Sequence, residues 1–248
     1  MVITSQDNAR IVEIAKLSQK KYRRLARRYV IEGARLVADA LKHGANVLAV
    51  YVSESRQEDF HFDNQVIVAD RVFAKIADTV TTQGVLAVVQ MANSELTKPT
   101  GNCLVLDGLQ DPGNVGTLIR TAAACGFTDV YAVNTVDLYS PKVLRSAMSA
   151  HFCVRLHEVE NVERAFELLA GVEIVCADMD GDNVFEAAFG AQTALVLGNE
   201  GNGLSDCAKA NASRAVALPM EGGFESLNVA VAGSVVMYQI YSKSNTRR

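Results

Sequence analysis

Three short stretches hold the residues with chemistry to offer, and each follows an apolar run. The first is "DPGNVGTLIR" (Asp111–Arg120), soon after "CLVLD" (Cys103–Asp107). Its Pro-Gly pair opens a helix. At about 100° per residue, Val115, Leu118, Ile119, Ala122 and Ala123 fall on one side and Asn114, Thr117, Arg120, Thr121 and Ala124 on the other. Arg120 therefore leaves the polar face, which this stretch alone reads as the exposed arginine of an amphipathic helix. Asn114 is the expected N-cap and Gly126 the expected C-cap. The second stretch is "LGNEGNGLS" (Leu197–Ser205), with glycines at 198, 201 and 203. Such a loop is either a plain turn or a place where backbone approaches a ligand closely. The spacing is not G-x-G-x-x-G and no G-K-[ST] follows, so neither the dinucleotide fingerprint nor the Walker loop applies. Glu200 in its midst repels a polyphosphate but suits a ligand with a cationic centre. The third is "LPMEGGFESLNVAVAGSVVMYQI" (Leu218–Ile240), where Ser226 is the expected cap of a long final helix and Asn228 lies in its first turn. That helix is apolar almost all round, so it is covered on several sides, by the core or by a partner subunit.

The elements that must position these loops follow from the hydrophobic pattern. Strands are expected at "CLVLD" (Cys103–Asp107), "DVYAV" (Asp129–Val133), "EIVCA" (Glu173–Ala177), "ALVLG" (Ala194–Gly198) and "AVALP" (Ala215–Pro219), with helices between them. Their β-branched, apolar character fits a parallel sheet covered on both faces. Loops at the ends of such strands meet in one crevice, where open α/β sheets bind ligands. Upstream, residues 9–42 read as two helical segments broken near "YVIEG" (Tyr29–Gly33). "NVLAVYV" (Asn46–Val52), "QVIVA" (Gln65–Ala69) and "GVLAVVQM" (Gly84–Met91) read as strands, with a short helix after Asp70. The polar stretch 92–102 contains Pro99 and Gly101 and is the expected linker. The chain thus divides into a small α/β domain (1–93), a linker (94–102) and a larger α/β domain (103–248).

The 248 residues suffice for a sizeable core, and 49% of them are hydrophobic. No apolar run approaches the roughly 20 residues that span a bilayer, and the N-terminus has no signal-peptide pattern. Five cysteines, with no Cys-x-x-Cys pair, argue for buried thiols in a reducing cytoplasm and against a metal site. The net charge of −4 does not by itself point to nucleic acid. Its distribution does: Lys16, Lys20, Lys21, Arg23, Arg24, Arg27 and Arg28 lie together with no acidic residue among them, while 17 basic residues face 28 acidic ones elsewhere. One dense cationic run on an acidic chain is either a solvated helix face or a phosphate-attracting patch, and Tyr22 within it could stack on a base.

Taken in order, "DPGNVGTLIRTAAACGF", "LVLGNEGNGLS" and "LPMEGGFESLNVAVAG" resemble the three motifs of the SpoU (TrmH-type) RNA 2'-O-ribose methyltransferases of the SPOUT superfamily, over about residues 103–241. "KYRRLARRYVIEGARLVADAL" and "TTQGVLAVV" resemble the small substrate-binding domain of many members, which is related to RNA-binding ribosomal proteins. "YSPKVLRSAMSAHF" (Tyr139–Phe152) is similar to a further family stretch, S-P-K-x-x-R-A-S-x-G-A. Lys142 and Arg145 are kept, whereas Ala147 and Ser149 stand in place of serine and glycine.

The resemblance implies a deep C-terminal trefoil knot, an exception to the rule against knotted chains. It implies S-adenosyl-L-methionine as cofactor, met by backbone around Leu197, Gly198, Gly201, Leu218, Met220 and Leu227. It also implies a homodimer with the site at its interface. Arg120, Asn114, Glu200, Ser226 and Asn228 match the family's active-site positions, and the basic run with Lys142 and Arg145 would handle RNA. The implied reaction is an in-line displacement: a ribose 2'-oxygen attacks a sulfonium methyl, aligned by the site. The family view makes the arginine a general base. A guanidinium is a poor base, which favours binding a phosphate and stabilising the developing alkoxide. The target is RNA because DNA lacks the 2'-hydroxyl. Ribosomal RNA is expected ahead of transfer RNA, and a catalytically silent RNA-binding protein is the alternative outside enzymes.

Overall fold

In the computed structural model, the described residues are 2–92, 95–222 and 226–245, so Asn93 and Ser94 of the expected linker, Gly223, Phe224 and Glu225 of the third stretch, and residues 246–248 lie outside them. The β-branched runs form two sheets rather than one. Packing divides the chain into two units, Met1–Asn93 with Tyr139–Leu144, and Ser94–Leu138 with Arg145–Arg248. No helix among the described residues is long and apolar enough to cross a membrane.

The first unit contains β1 (Val2–Ile3), α1 (Ala9–Lys16), α2 (Lys20–Ala26), β2 (Arg28–Glu32), α3 (Ala34–Lys42), β3 (Val47–Ser53), β4 (Val66–Val68), α4 (Asp70–Phe73) and β5 (Val85–Gln90). Its five strands run in the order β1-β4-β3-β5-β2. One core cluster draws Ile11, Ile14 and Leu17 from the α1 region, Tyr51 from β3, Val72 and Phe73 from α4, and Leu86 and Val88 from β5. The helical reading of residues 9–42 is corrected here. Arg27 adopts a left-handed conformation (φ 51°) and ends α2, and "RYVIE" becomes a strand paired antiparallel with β5, Val30 opposite Val88. Tyr29 and Ile31 are buried and their neighbours half-buried, a period of two that pairing with a distant strand turns into β structure.

The remaining elements are β6 (Cys103–Asp107), α5 (Pro112–Ala124), β7 (Asp129–Val133), α6 (Pro141–Ala147), β8 (Arg155–Val159), α7 (Val162–Leu168), β9 (Glu173–Asn183), β10 (Thr193–Leu197), α8 (Asp206–Asn211), β11 (Arg214–Ala217) and α9 (Val229–Asn245). The second sheet has the order β11-β9-β10-β6-β7-β8, and every pairing in it is parallel. β6, β7 and β10 are buried along their whole length, as expected for strands covered on both faces. β8 escapes the sequence pattern because "RLHEV" carries three polar residues, and it lies at the sheet's edge. β9 runs six residues beyond the expected Ala177 because its polar second half pairs with β11 across a bulge at Ala215/Val216.

At the start of β7, the fully buried Asp129 accepts hydrogen bonds from Arg155 Nε and Nη2 (both 2.8 Å), His157 Nε2 (2.8 Å) and Thr128 Oγ1 (2.6 Å). Burial alone would raise its pKa, but these donors overcome that and hold it well below the usual carboxylate range. The pair is satisfied on both oxygens, which is what allows a charge to sit there.

Candidate active site

From β6 the chain proceeds to β7 on one side of the sheet, and from β10 it proceeds to β11 on the other. The carboxyl ends of the adjacent strands β6 and β10 therefore mark the topological switch point, where a crevice opens for a ligand. The first two glycine-bearing loops leave the sheet at this point. Gly108, with φ +79°, turns the chain off β6 in a conformation that a side chain resists.

α5 begins as its sequence demands, with one correction. The cap is Asp111 rather than Asn114: its Oδ1 accepts from the Asn114 backbone N–H at 2.9 Å, with Pro112 at the first helical position. This frees the Asn114 side chain. At the other end, Gly126 (φ +72°) closes the helix as expected, with Gly126 N–H to the Ala123 carbonyl (3.2 Å) and Phe127 N–H to the Ala122 carbonyl (2.9 Å). Val115, Leu118, Ile119 and Ala122 are buried and Thr117 and Arg120 exposed, as the helical spacing requires. Arg120 makes no hydrogen bond or ion pair among the described residues.

Asn114, Glu200 and Asn228 come together. Asn228 Nδ2 donates to Asn114 Oδ1 (3.0 Å), and Asn114 Nδ2 donates to Glu200 Oε1 (3.1 Å). The Glu200 carboxylate also accepts from the backbone N–H groups of Gln110 and Asp111 (both 3.2 Å). Partial burial would raise the Glu200 pKa, but the Asn114 side chain and the backbone donors outweigh it and lower it, so the group is an anion at neutral pH. Asn228 Oδ1 accepts from Ala230 N–H (2.9 Å) and Val231 N–H (3.2 Å). Asn228, not Ser226, thus caps α9. Ser226 is exposed two residues earlier. Farther along, Thr121 Oγ1 and Ser234 Oγ lie 2.9 Å apart, and a Cβ on Gly233 would collide with Leu197 and Leu118 side chains. The third stretch is therefore locked onto the first two.

Three residues that the sequence reading passed over complete this arrangement. Gln110 Nε2 donates to the carbonyls of Gly108 (3.0 Å) and Asn134 (2.6 Å). Asp107, at the end of β6, accepts from Ser205 N–H at 3.0 Å. Asn199 pairs with Gly203 through both backbone groups (2.8 and 2.9 Å), accepts from Gly201 N–H (2.9 Å) and Asn202 N–H (3.0 Å), and donates to the Gly108 carbonyl (2.8 Å). The amides of residues 201–203 thus point into their own loop, and a phosphate finds no nest of N–H groups there. The ties from Asp107 to Ser205 and from Asn199 to Gly108 join different loops, so no local sequence signal announces them.

Of the residues expected to meet the cofactor, Leu197 is buried under α9. Gly198 is pressed against Gly203 and Leu204 so closely that a Cβ would overlap their backbone, whereas a Cβ on Gly201 would meet only Asn199 Oδ1, at an ordinary contact distance of 3.6 Å. Leu218 is half-buried. Met220 and Leu227 leave 37% and 47% of their surface exposed. Exposed apolar groups, an anionic rim and a loop without phosphate-binding amides fit a ligand with a flat apolar ring and a cationic centre, as S-adenosylmethionine has.

Of the basic run, Lys16, Lys20, Lys21 and Arg24 are exposed, and the ammonium groups of Lys16 and Lys21 each lie 5.9 Å from the Tyr22 ring centroid. Arg27 donates to the Ala92 carbonyl (2.7 Å), and Arg28 pairs with Glu13. Arg23 is a correction. It is 4% exposed, and its Nη1 donates to the carbonyls of Leu17 and Ser18 (both 2.7 Å), so it closes the end of α1 and does not face RNA. Lys142 and Arg145 are exposed on α6. Met148 just beyond takes the left-handed conformation (φ 53°), not Ser149 at the family's glycine position.

A six-stranded parallel sheet whose switch point gathers three interlocked, glycine-bearing loops around the Glu200 carboxylate defines an α/β protein that binds a small ligand there. The chain belongs to the SpoU rRNA methylase family, which residues 101–238 match, and residues 8–87 match the MRM3-like substrate binding domain. Among its relatives, the 23S rRNA (guanosine(2553)-2'-O)-methyltransferase RlmP of Bacillus subtilis is 32% identical over 244 residues, covering 96% of this chain and 98% of RlmP. A 23S rRNA (uridine(2479)-2'-O)-methyltransferase of Streptomyces viridochromogenes is 29% identical, over 96% of this chain and 90% of that protein. The AdoMet-bound rRNA methyltransferase of Sinorhizobium meliloti superposes with a TM-score of 0.86 at 26% identity, covering 98% of this chain and 97% of that one.

Proposed function

We propose that this chain transfers a methyl group from S-adenosylmethionine to a ribose 2'-oxygen of RNA, that ribosomal RNA is its substrate ahead of transfer RNA, and that it acts as a homodimer in the cytoplasm. The observation that carries the reading is the hydrogen-bonded line Asn228–Asn114–Glu200 at the switch point, whose middle member Asn114 lies on the same helix as the exposed, uncommitted Arg120. S-adenosylmethionine supplies a methyl group on a cationic sulfur.

The chain's own residues do the rest. Backbone at Leu197, Gly198, Gly201, Leu218, Met220 and Leu227 is what would hold the adenosine end. The Glu200 carboxylate favours a cation and disfavours phosphorylated nucleotides. Arg120 binds a substrate phosphate bidentately and stabilises negative charge developing on the 2'-oxygen. Asn114 and Asn228 hold the loops in register, and Ser226 precedes Asn228 by two residues on the third.

Lys16, Lys20, Lys21, Arg24 and Arg27 would hold the RNA backbone, setting position rather than reading sequence, with Lys142 and Arg145 as further contacts. For the homodimer, α9 buries Ala230, Val236, Met237 and Ile240 but leaves Val231 (50%), Tyr238 (53%) and Tyr241 (43%) exposed along one side. The trefoil knot is supported by the path of the C-terminus, which follows the edge strand β11 and then returns to pack against α5 and β10 in mid-sheet. The five free cysteines suit a reducing compartment.

The test is methyl transfer from labelled S-adenosylmethionine to separated ribosomal and transfer RNA, with wild type and Arg120→Ala side by side. Label is expected in ribosomal RNA, reduced by about 100-fold or more in the variant while cofactor binding persists. Label in transfer RNA alone moves the substrate. Cofactor binding with no label in any RNA leaves a silent RNA-binding protein.

A further inference from the structure

We infer that Asn199 is the positioning residue that gives the S-adenosylmethionine loop its working shape, an inference that rests on the function proposed above. Every polar atom of Asn199 is engaged. Its backbone N–H and carbonyl both pair with Gly203, at 2.8 and 2.9 Å, which closes residues 199–203 into a tight ring. Its side-chain oxygen gathers the N–H groups of Gly201 and Asn202, at 2.9 and 3.0 Å, from inside that ring. Its side-chain amide crosses to the Gly108 carbonyl at 2.8 Å, the point where the first loop leaves β6.

One side chain therefore does two jobs. It sets the direction of the amides at 201 and 202, and so the direction in which the carbonyls and Cα groups of the same peptides face the crevice. It also ties the second loop to the first directly beside Glu200, whose carboxylate makes the parallel tie to Gln110, Asp111 and Asn114. Gly198 cannot absorb a change, because it already abuts the backbone of Gly203 and Leu204. Losing Asn199 would leave Glu200 as the main link between the loops and free the ring to open.

Asn199 touches no reacting atom in this arrangement, so its effect falls on cofactor affinity and not on the chemical step. The experiment measures S-adenosylmethionine Kd by calorimetry, and kcat with separate KM values for cofactor and RNA, for wild type, Asn199→Ala and Asn199→Ser, each well below its own Tm. A serine hydroxyl still accepts from nearby amides but cannot reach Gly108. Asn199→Ala is expected to raise the cofactor Kd and KM by about tenfold, with kcat at saturating cofactor within about twofold and the RNA KM unmoved. Asn199→Ser is expected between wild type and alanine, and it carries the test if the alanine variant does not fold. A lowered Tm with unchanged cofactor Kd in the folded variants overturns the inference alone. A wild-type protein that binds no S-adenosylmethionine overturns the proposed function, and this inference with it.

Discussion

At the scale of the residue, the buried polar groups divide into those that serve the crevice and those that tax the fold. His151 belongs to the second kind. It is 9% exposed, and its Nε2 lies 2.7 Å from the Leu138 carbonyl, to which the ring N–H donates. Burial pushes its pKa down to about 4, against the smaller upward pulls of the Leu138 carbonyl and Asp137. In the unfolded chain a histidine titrates near 6.5, so between these values the unfolded state holds more protons than the folded one. Stability is therefore undiminished above about pH 6.5 and declines as the pH falls towards 4, by at most about 3 kcal/mol from this group. His151→Gln can keep a donor to Leu138 without the titration. Thermal unfolding of the variant is expected to show a flatter dependence between pH 6.5 and 4 than wild type, and parallel curves would remove His151 as the source.

At the scale of the element, α9 illustrates how a cap serves two ends. Asn228 satisfies the amides of Ala230 and Val231 with its oxygen while its nitrogen steers Asn114 towards Glu200. Asn228→Ala is expected to cost about 1–2 kcal/mol in urea unfolding. Asn228→Ser, which caps but cannot donate across to Asn114 in the same way, is expected to recover most of that stability while methyl transfer stays low. Recovery of both together would mean that the cap alone matters. The sequence pattern disclosed α5 readily, because its apolar residues recur at the helical period, and it disclosed β6, β7 and β10 because a doubly covered strand must be apolar throughout. It did not disclose β2, whose partner β5 lies more than fifty residues downstream and which sits between helices of similar composition. Nor could a run of cations reveal that Arg23 turns inward to the carbonyls of Leu17 and Ser18, or that Asn199 reaches Gly108. Those roles depend on chain segments meeting in space, and only the residue types, not the meetings, are written locally. The three glycine-bearing loops were legible as a site, whereas the hydrogen bonds that make them one unit were not.

At the scale of the whole molecule, two surface features are predicted to govern assembly and substrate capture. Val231, Tyr238 and Tyr241 are exposed together on one side of α9, the kind of apolar surface that association buries. Val231→Glu combined with Tyr238→Glu is expected to convert a dimer to a monomer in sedimentation and to abolish methyl transfer, whereas a wild type that sediments as a monomer would remove this face from the mechanism. The second feature is the charge distribution. A chain of net charge −4 repels RNA on average, so attraction has to come from a local cationic surface. Neutralising the whole basic run would confuse two effects, because Arg23 supports α1 and Arg28 already has a carboxylate partner. Lys20, Lys21 and Arg24 are the informative positions, since all three are exposed and none shares the burial of Arg23. Each lost phosphate contact lowers the salt dependence of binding to single-stranded RNA by about 0.7 in log–log slope. The triple substitution to alanine is therefore expected to raise the RNA KM and reduce that slope by about 2 if all three touch phosphates, while S-adenosylmethionine affinity stays constant. A lower apparent kcat with KM and slope both unchanged would instead assign the patch to folding, because lost structure lowers the active fraction without altering how many counterions each bound RNA releases.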